Sequence, residues 1–168
     1  MTATELITHT PVWVWPLLAA LLALGWMQTR ARRVSLARAL ALPLVMLILT
    51  PATLVVRLAA TGSLTAALAV WGAGTLGAAL IGRRRALLPG EHFDAATRRL
   101  HLAGSWAPLL IILGIFCLRY AVAATQAVNP ALAAQPAFVL ATAALGGMLN
   151  GWLVARAWAL WMLARSSM

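Results

Sequence analysis

The sequence predicts an all-α fold, a polytopic membrane helix bundle with five transmembrane helices. Three observations carry that prediction. Hydrophobic residues make up 63% of the 168 positions and charged residues only 10%, where a soluble domain carries about 25% charged residues. The apolar residues are gathered into five long runs, each near the roughly 17–25 residues that a helix needs to cross the hydrocarbon core. The charges lie between those runs, and every one of the 13 basic residues is arginine. With a mean hydropathy of +0.91, the chain cannot clothe a water-facing surface, and it is too apolar to be disordered. The single cysteine, Cys117, excludes an internal disulfide and a cysteine-based metal framework. The length fits one integral membrane domain, residues 1–168.

The runs are taken in order. The first, Pro11 to Met27, is barely long enough to cross. Before it come Glu5 and no basic residue, so it lacks the positive start of a cleavable signal. The second, Ala39 to Ala60, contains Pro43 and Pro51. Each proline removes a backbone donor, and Pro51 is the expected bend. The third runs from Leu64 to Gly82 and the fourth from Ser105 to Ala124. The fifth, Pro136 to about Ala164, exceeds a bilayer's thickness and must tilt or run out along the interface. In lipid the backbone must satisfy its own hydrogen bonds, so these runs are helices. The loop from Arg83 to Gly104 is the one sizeable hydrophilic segment, and its Pro89-Gly90 turn signal allows a short hairpin or an interfacial helix.

Arginine placement orients the bundle. Arg30, Arg32, Arg33 and Arg38 follow the first run; Arg83, Arg84, Arg85, Arg98 and Arg99 follow the third; Arg165 follows the fifth. With five spans all of these lie on one side, and the opposite connections hold no basic residue. Basic loops stay in the cytoplasm, which predicts the N-terminus out and the C-terminus in, with the arginines against anionic headgroups. The net charge of +10 therefore points to a membrane surface, and no nucleic-acid partner is expected.

Lipid tails are as apolar as leucine, so helices associate through close backbone approach. Gly74, Ala78 and Gly82 make one smooth stripe, and Gly147 and Gly151 form a GxxxG pair. They are the expected packing faces, within one chain or between copies. Asn150 lies mid-helix, too deep to reach water, and needs a partner or a wet cavity. An arginine at a helix centre costs roughly 2.5–3.5 kcal/mol on insertion scales. Arg57, Arg119 and Arg156 lie near span ends and can snorkel. One reading brings Arg57 and Arg119 together with Tyr120, His9 and Trp13 as an outer site for a small anion or lipid headgroup, because arginine grips carboxylate and phosphate in a bidentate fork. The plainer reading is two arginines meeting headgroups separately.

Catalytic chemistry is thin. No carboxylate lies inside a span, which argues against a proton-coupled carrier. Glu91, His92, Asp94 and His101 share a loop with arginines and fit no ligand spacing. No metal, no cofactor and no catalytic residue are expected.

Certain motifs resemble a known group. His9-Thr-Pro-Val-Trp-Val-Trp15, the run Arg33 to Leu36 followed by Leu42-Pro43-Leu44, and Arg99 to Trp106 leading to Leu118-Arg119-Tyr120 resemble small bacterial inner-membrane proteins grouped as a domain of unknown function. The Gly-Ser-Trp and Arg-Tyr residues are more distantly similar to CcdC-like membrane proteins. The resemblance implies a multi-pass protein of a bacterial inner membrane and supplies no activity. The expectation is a non-enzymatic accessory or lipid- or small-anion-binding membrane protein. The alternative is a small transporter or permease subunit working as an oligomer, or one held by a membrane protein partner.

Overall fold

A computed structural model describes residues 14–59, 62–83 and 86–167. The elements in chain order are α1 (Val14–Gln28), β1 (Arg32–Ser35), α2 (Leu36–Leu58), α3 (Leu64–Gly82), β2 (His92–Asp94), β3 (Arg99–Leu102), α4 (Ala107–Val128), the short α5 (Pro130–Ala133) and α6 (Pro136–Ser166). Among the described residues, α2, α3, α4 and α6 are long and apolar enough to cross a membrane. The described part of the first run, α1, is an apolar helix of 15 residues, and Pro11 to Trp13 lie outside the described residues.

The expectation of an all-α chain needs correcting. Three strands form an antiparallel sheet in the order β1-β3-β2. Within the hydrophilic loop β2 and β3 form a hairpin, and the first arginine loop supplies the remaining strand. Side chains alternate across a strand, and the alternation explains the sheet's seat. Phe93, Leu100 and Leu102 point inward and are buried with Leu160 and Ala164 of α6, with Val34 packed beside them. Arg33, His92 and Arg99 point outward and are exposed. The polar look of Arg32-Arg33-Val34-Ser35 hides the strand, since only Val34 marks its inner face.

The hairpin turn is built by Asp94. Its Oδ1 accepts from the Ala96 and Thr97 amides at 3.0 and 3.4 Å, and its Oδ2 accepts from the Thr97 hydroxyl at 2.7 Å. These bonds hold its carboxyl below the usual carboxylate range, the Thr97 hydroxyl contributing most. The turn thus takes up the carboxylate's hydrogen-bonding capacity. Arg98 closes the turn with φ of 52°, a left-handed conformation that costs a side-chain-bearing residue roughly 1–2 kcal/mol. Arg98→Gly is therefore expected to stabilise the hairpin by about 1 kcal/mol, read as slower amide exchange at Leu100.

Helix ends follow local chemistry. α2 starts three residues before the apolar run because Ser35, extended at φ −70° and ψ 152°, accepts from the Arg38 amide. The helix then runs through both prolines to Leu58. α4 outlasts its predicted end at Ala124 because the Thr125 hydroxyl donates to the Ala121 carbonyl at 2.8 Å, which satisfies it inside the helix. It stops at Asn129, whose side chain caps α5 by accepting from the Leu132 amide at 3.0 Å.

α6 is the axis of the bundle. Of its most apolar stretch 39% is buried within the protein, against 6–11% for the other three long helices. It packs along α3 most extensively and also touches α2 and α4, while α1 lies antiparallel on α4. At 31 residues it is about 47 Å long, and the hydrocarbon core is about 30 Å thick. The sheet covers the end that carries Leu160 and Ala164.

Candidate functional site at the arginine-rich end

The two arginine-rich loops and the end of α6 meet at one end of the bundle. The sheet that joins them leaves most of the arginines facing outward. Arg30, Arg33, Arg38, Arg83, Arg98, Arg99 and Arg165 are exposed. The carboxylates at this end are occupied internally. Asp94 builds its own turn. Glu91, whose side chain is 0% exposed, forms an ion pair with Arg156 of α6. Arg156 Nη1 donates to Glu91 Oε2 at 2.6 Å and also to the Ala86 carbonyl, and Nη2 donates to Glu91 Oε1. Glu91 Oε2 further accepts from the Leu88 amide at 3.0 Å. A bidentate fork on a buried carboxylate is the strong form of the ion pair. Snorkelling, the sequence expectation for Arg156, is replaced by this pair.

Arg32 is the half-buried arginine of the group. It donates to Gln28 Oε1 at 3.1 Å. Burial, and after it the charges of Arg38 and Arg156, pull its pKa below the ordinary arginine value. A guanidinium crowded by two others in this way favours an added anion.

His92 and His101 face each other across β2 and β3, with ring centroids 4.4 Å apart and planes at 24°. Arg33 lies opposite His101 on β1. Desolvation, then Arg33, then His92 lower the His101 pKa, with Asp94 opposing. Folded chain then binds fewer protons than unfolded chain once the pH falls below about 6.5, so the sheet's stability is full above that value and declines below it. Leu100 amide protection, corrected for intrinsic exchange, is expected to weaken between pH 7 and about pH 5. His101→Gln should flatten the profile.

The motif residues Gly104, Ser105 and Trp106 have structural employment. A Cβ at Gly104 would overlap the Thr29 carbonyl, so only glycine lets the chain cross the end of α1 there. The Ser105 amide donates to the Gln28 carbonyl at 3.1 Å, and its hydroxyl accepts from the Ala107 amide at 3.2 Å. Trp106 meets Trp26 edge to face at 5.8 Å. The motif joins α1 to α4.

The remaining sequence candidates are distributed. Gly74 and Gly82 of α3 face α6, where a Cβ at Gly74 would lie 3.0 Å from the Ala144 carbonyl oxygen and one at Gly82 would lie 3.1 Å from the Ala155 methyl. Gly147 presses on the Trp71 carbonyl, and Gly151 on the Thr75 carbonyl and on Ala78. These faces meet within one chain. Asn150 is 2% exposed and its Oδ1 has no hydrogen-bond partner among the described residues. Arg57 is half-buried on α2 and Arg119 exposed on α4. Tyr120 stacks on Phe116 at 6.3 Å. Arg57 and Arg119 stand on different helices, and His9 and Trp13 lie outside the described residues. No cluster of three or more metal-ligating side chains occurs among the described residues.

Sequence reasoning missed Glu91–Arg156, whose partners stand 65 positions apart. The available signal was a carboxylate in an arginine-rich loop and an arginine in the last apolar run.

Among known proteins, a family model described as "Family of unknown function (DUF6622)" matches residues 1–168. No curated protein and no solved structure matches the chain.

Proposed function

For a chain that belongs to this family of unknown function, DUF6622, we propose a non-enzymatic role as a multi-pass protein of a bacterial inner membrane that holds anionic lipid at its cytoplasmic end. The single observation that supports it is the fate of the carboxylates. Glu91 and Asp94 are engaged inside the fold, so the exposed arginines keep their charge for an outside anion. Phosphate headgroups of the cytoplasmic leaflet supply one. On this reading α1 is the first of five spans, the N-terminus is out and the C-terminus is in.

Two observations favour this role over transport. The groove between α1 and α4 and the hollow between α2 and α6 are both lined by apolar side chains alone, which suits a lipid-facing body better than a polar path. The glycine faces that would join subunits of a transporter are engaged within the chain. Arg57 and Arg119 then meet headgroups of the outer leaflet separately. Likeness to CcdC-like proteins rests partly on Gly104 to Trp106, residues that here serve helix packing.

Reporter fusions test the orientation. A fluorescent protein at Met168 is expected to light up, and alkaline phosphatase inserted after Gly62 is expected to be active. A silent reporter at Met168 beside an active phosphatase at the same point would overturn the reading.

A further inference from the structure

We propose that the hollow between α2 and α6 is a binding site for one anionic phospholipid, with an acyl chain along the hollow and the phosphate against Arg165. The inference rests on the membrane reading above and adds a place and a ligand class to it.

The hollow has a volume of about 190 Å³. Leu40, Pro43 and Leu47 of α2 form one wall, and Val154, Trp158 and Trp161 of α6 form the other. All are apolar or aromatic. Within a bilayer such a cleft gains nothing from water, and an acyl chain fills it without leaving a polar group unsatisfied. Its walls are stiff: Pro43 has a fixed backbone angle, and the two indoles stand 5.3 Å apart.

The mouth carries the charge. Spacings of three and four residues put Val154, Trp158, Trp161 and Arg165 on one helix stripe. The Arg165 guanidinium lies 5.3 Å above the Trp161 ring. That contact holds it at the headgroup end of the hollow, and the residue is exposed. α2 begins one turn before Leu40, so its positive helix end faces the same level.

Charge complementarity selects the occupant. A second copy of the chain would have to present a carboxylate to Arg165, and at this end the chain's own Glu91 and Asp94 are engaged within the fold. A phospholipid brings both the apolar chain and the phosphate that arginine grips in bidentate fashion.

The test uses delipidated full-length protein in detergent, with native mass spectrometry after addition of phosphatidylglycerol or phosphatidylcholine of identical acyl chains. One phosphatidylglycerol per chain is expected to be retained, about fivefold more strongly than phosphatidylcholine. Arg165→Gln is expected to remove that preference, and Arg98→Gln, which takes one charge from the general headgroup surface at the tip of the hairpin turn, to lower it by less than half. Ala157→Phe, which fills the hollow, is expected to abolish retention of both lipids. If that variant fails to fold, the two arginine variants still decide. Equal retention of the two lipids, or equal losses in Arg165→Gln and Arg98→Gln, overturns the site. Alkaline extraction separates the two readings. A chain that stays in the membrane and keeps a phosphatidylglycerol preference that Arg165→Gln and Arg98→Gln lower equally loses only this site, and a chain that leaves the membrane or shows no preference loses both.

Discussion

Glu91→Ala is expected to destabilise the arginine-rich end by about 3–5 kcal/mol, the range for removing one partner of a buried ion pair. The carboxylate is wholly buried and Arg156 is 21% exposed, so the guanidinium left behind recovers little hydration. The variant also frees the Leu88 amide, which Glu91 holds. The local result is release of the segment between α3 and β2 from α6, read as protease cleavage between Ala86 and Gly90 and a lowered melting temperature in detergent. Replacing both partners, Glu91→Leu with Arg156→Met, is expected to restore most of the loss, because apolar replacement of a buried pair is often neutral. A double variant as weak as Glu91→Ala would mean that the pair is not what fastens the segment.

The second large effect is at the α3–α6 contact. Gly147→Val and Gly151→Val drive side chains into the Trp71 and Thr75 carbonyls. Backbone cannot yield as a flexible side chain can. Overpacking typically costs 1–3 kcal/mol and occasionally more, and a backbone obstacle puts these variants at the upper end, about 3 kcal/mol each. Gly72→Ala and Gly77→Ala meet nothing within 4 Å, so they should be neutral or gain up to about 1 kcal/mol from helix propensity. Thermal unfolding of the four variants in one detergent checks the ranking. Comparable losses at Gly77 and Gly147 would show that α3 and α6 pack on other faces.

Legibility in the sequence follows the range of the interaction. Helices α2, α3, α4 and α6 could be read because an apolar run is local, and α3 falls at Leu64–Gly82 as predicted. Their ends were less legible, since Ser35 and Thr125 act through single hydrogen bonds. The sheet was only half legible. Pro89-Gly90 marks a turn that precedes β2, the hairpin itself turns at Asp94 to Arg98, and β1 exists only because β3 comes back to it. The candidate site divides the same way. Arginine clustering was plain, but the pairing of Glu91 with Arg156 and the use of Asp94 in its turn required the folded chain.

The pairing of β1 with β3 also sets a timetable. Arg32 and Leu102 pair although about seventy residues separate them along the chain. At roughly 5–20 residues per second of synthesis, the first strand waits several seconds with its edge bare before its partner is made. One helical hairpin, α2 with α3, is therefore made before β3 returns to clasp β1. A chain halted before Arg99 would display an unzipped edge to any quality-control protease.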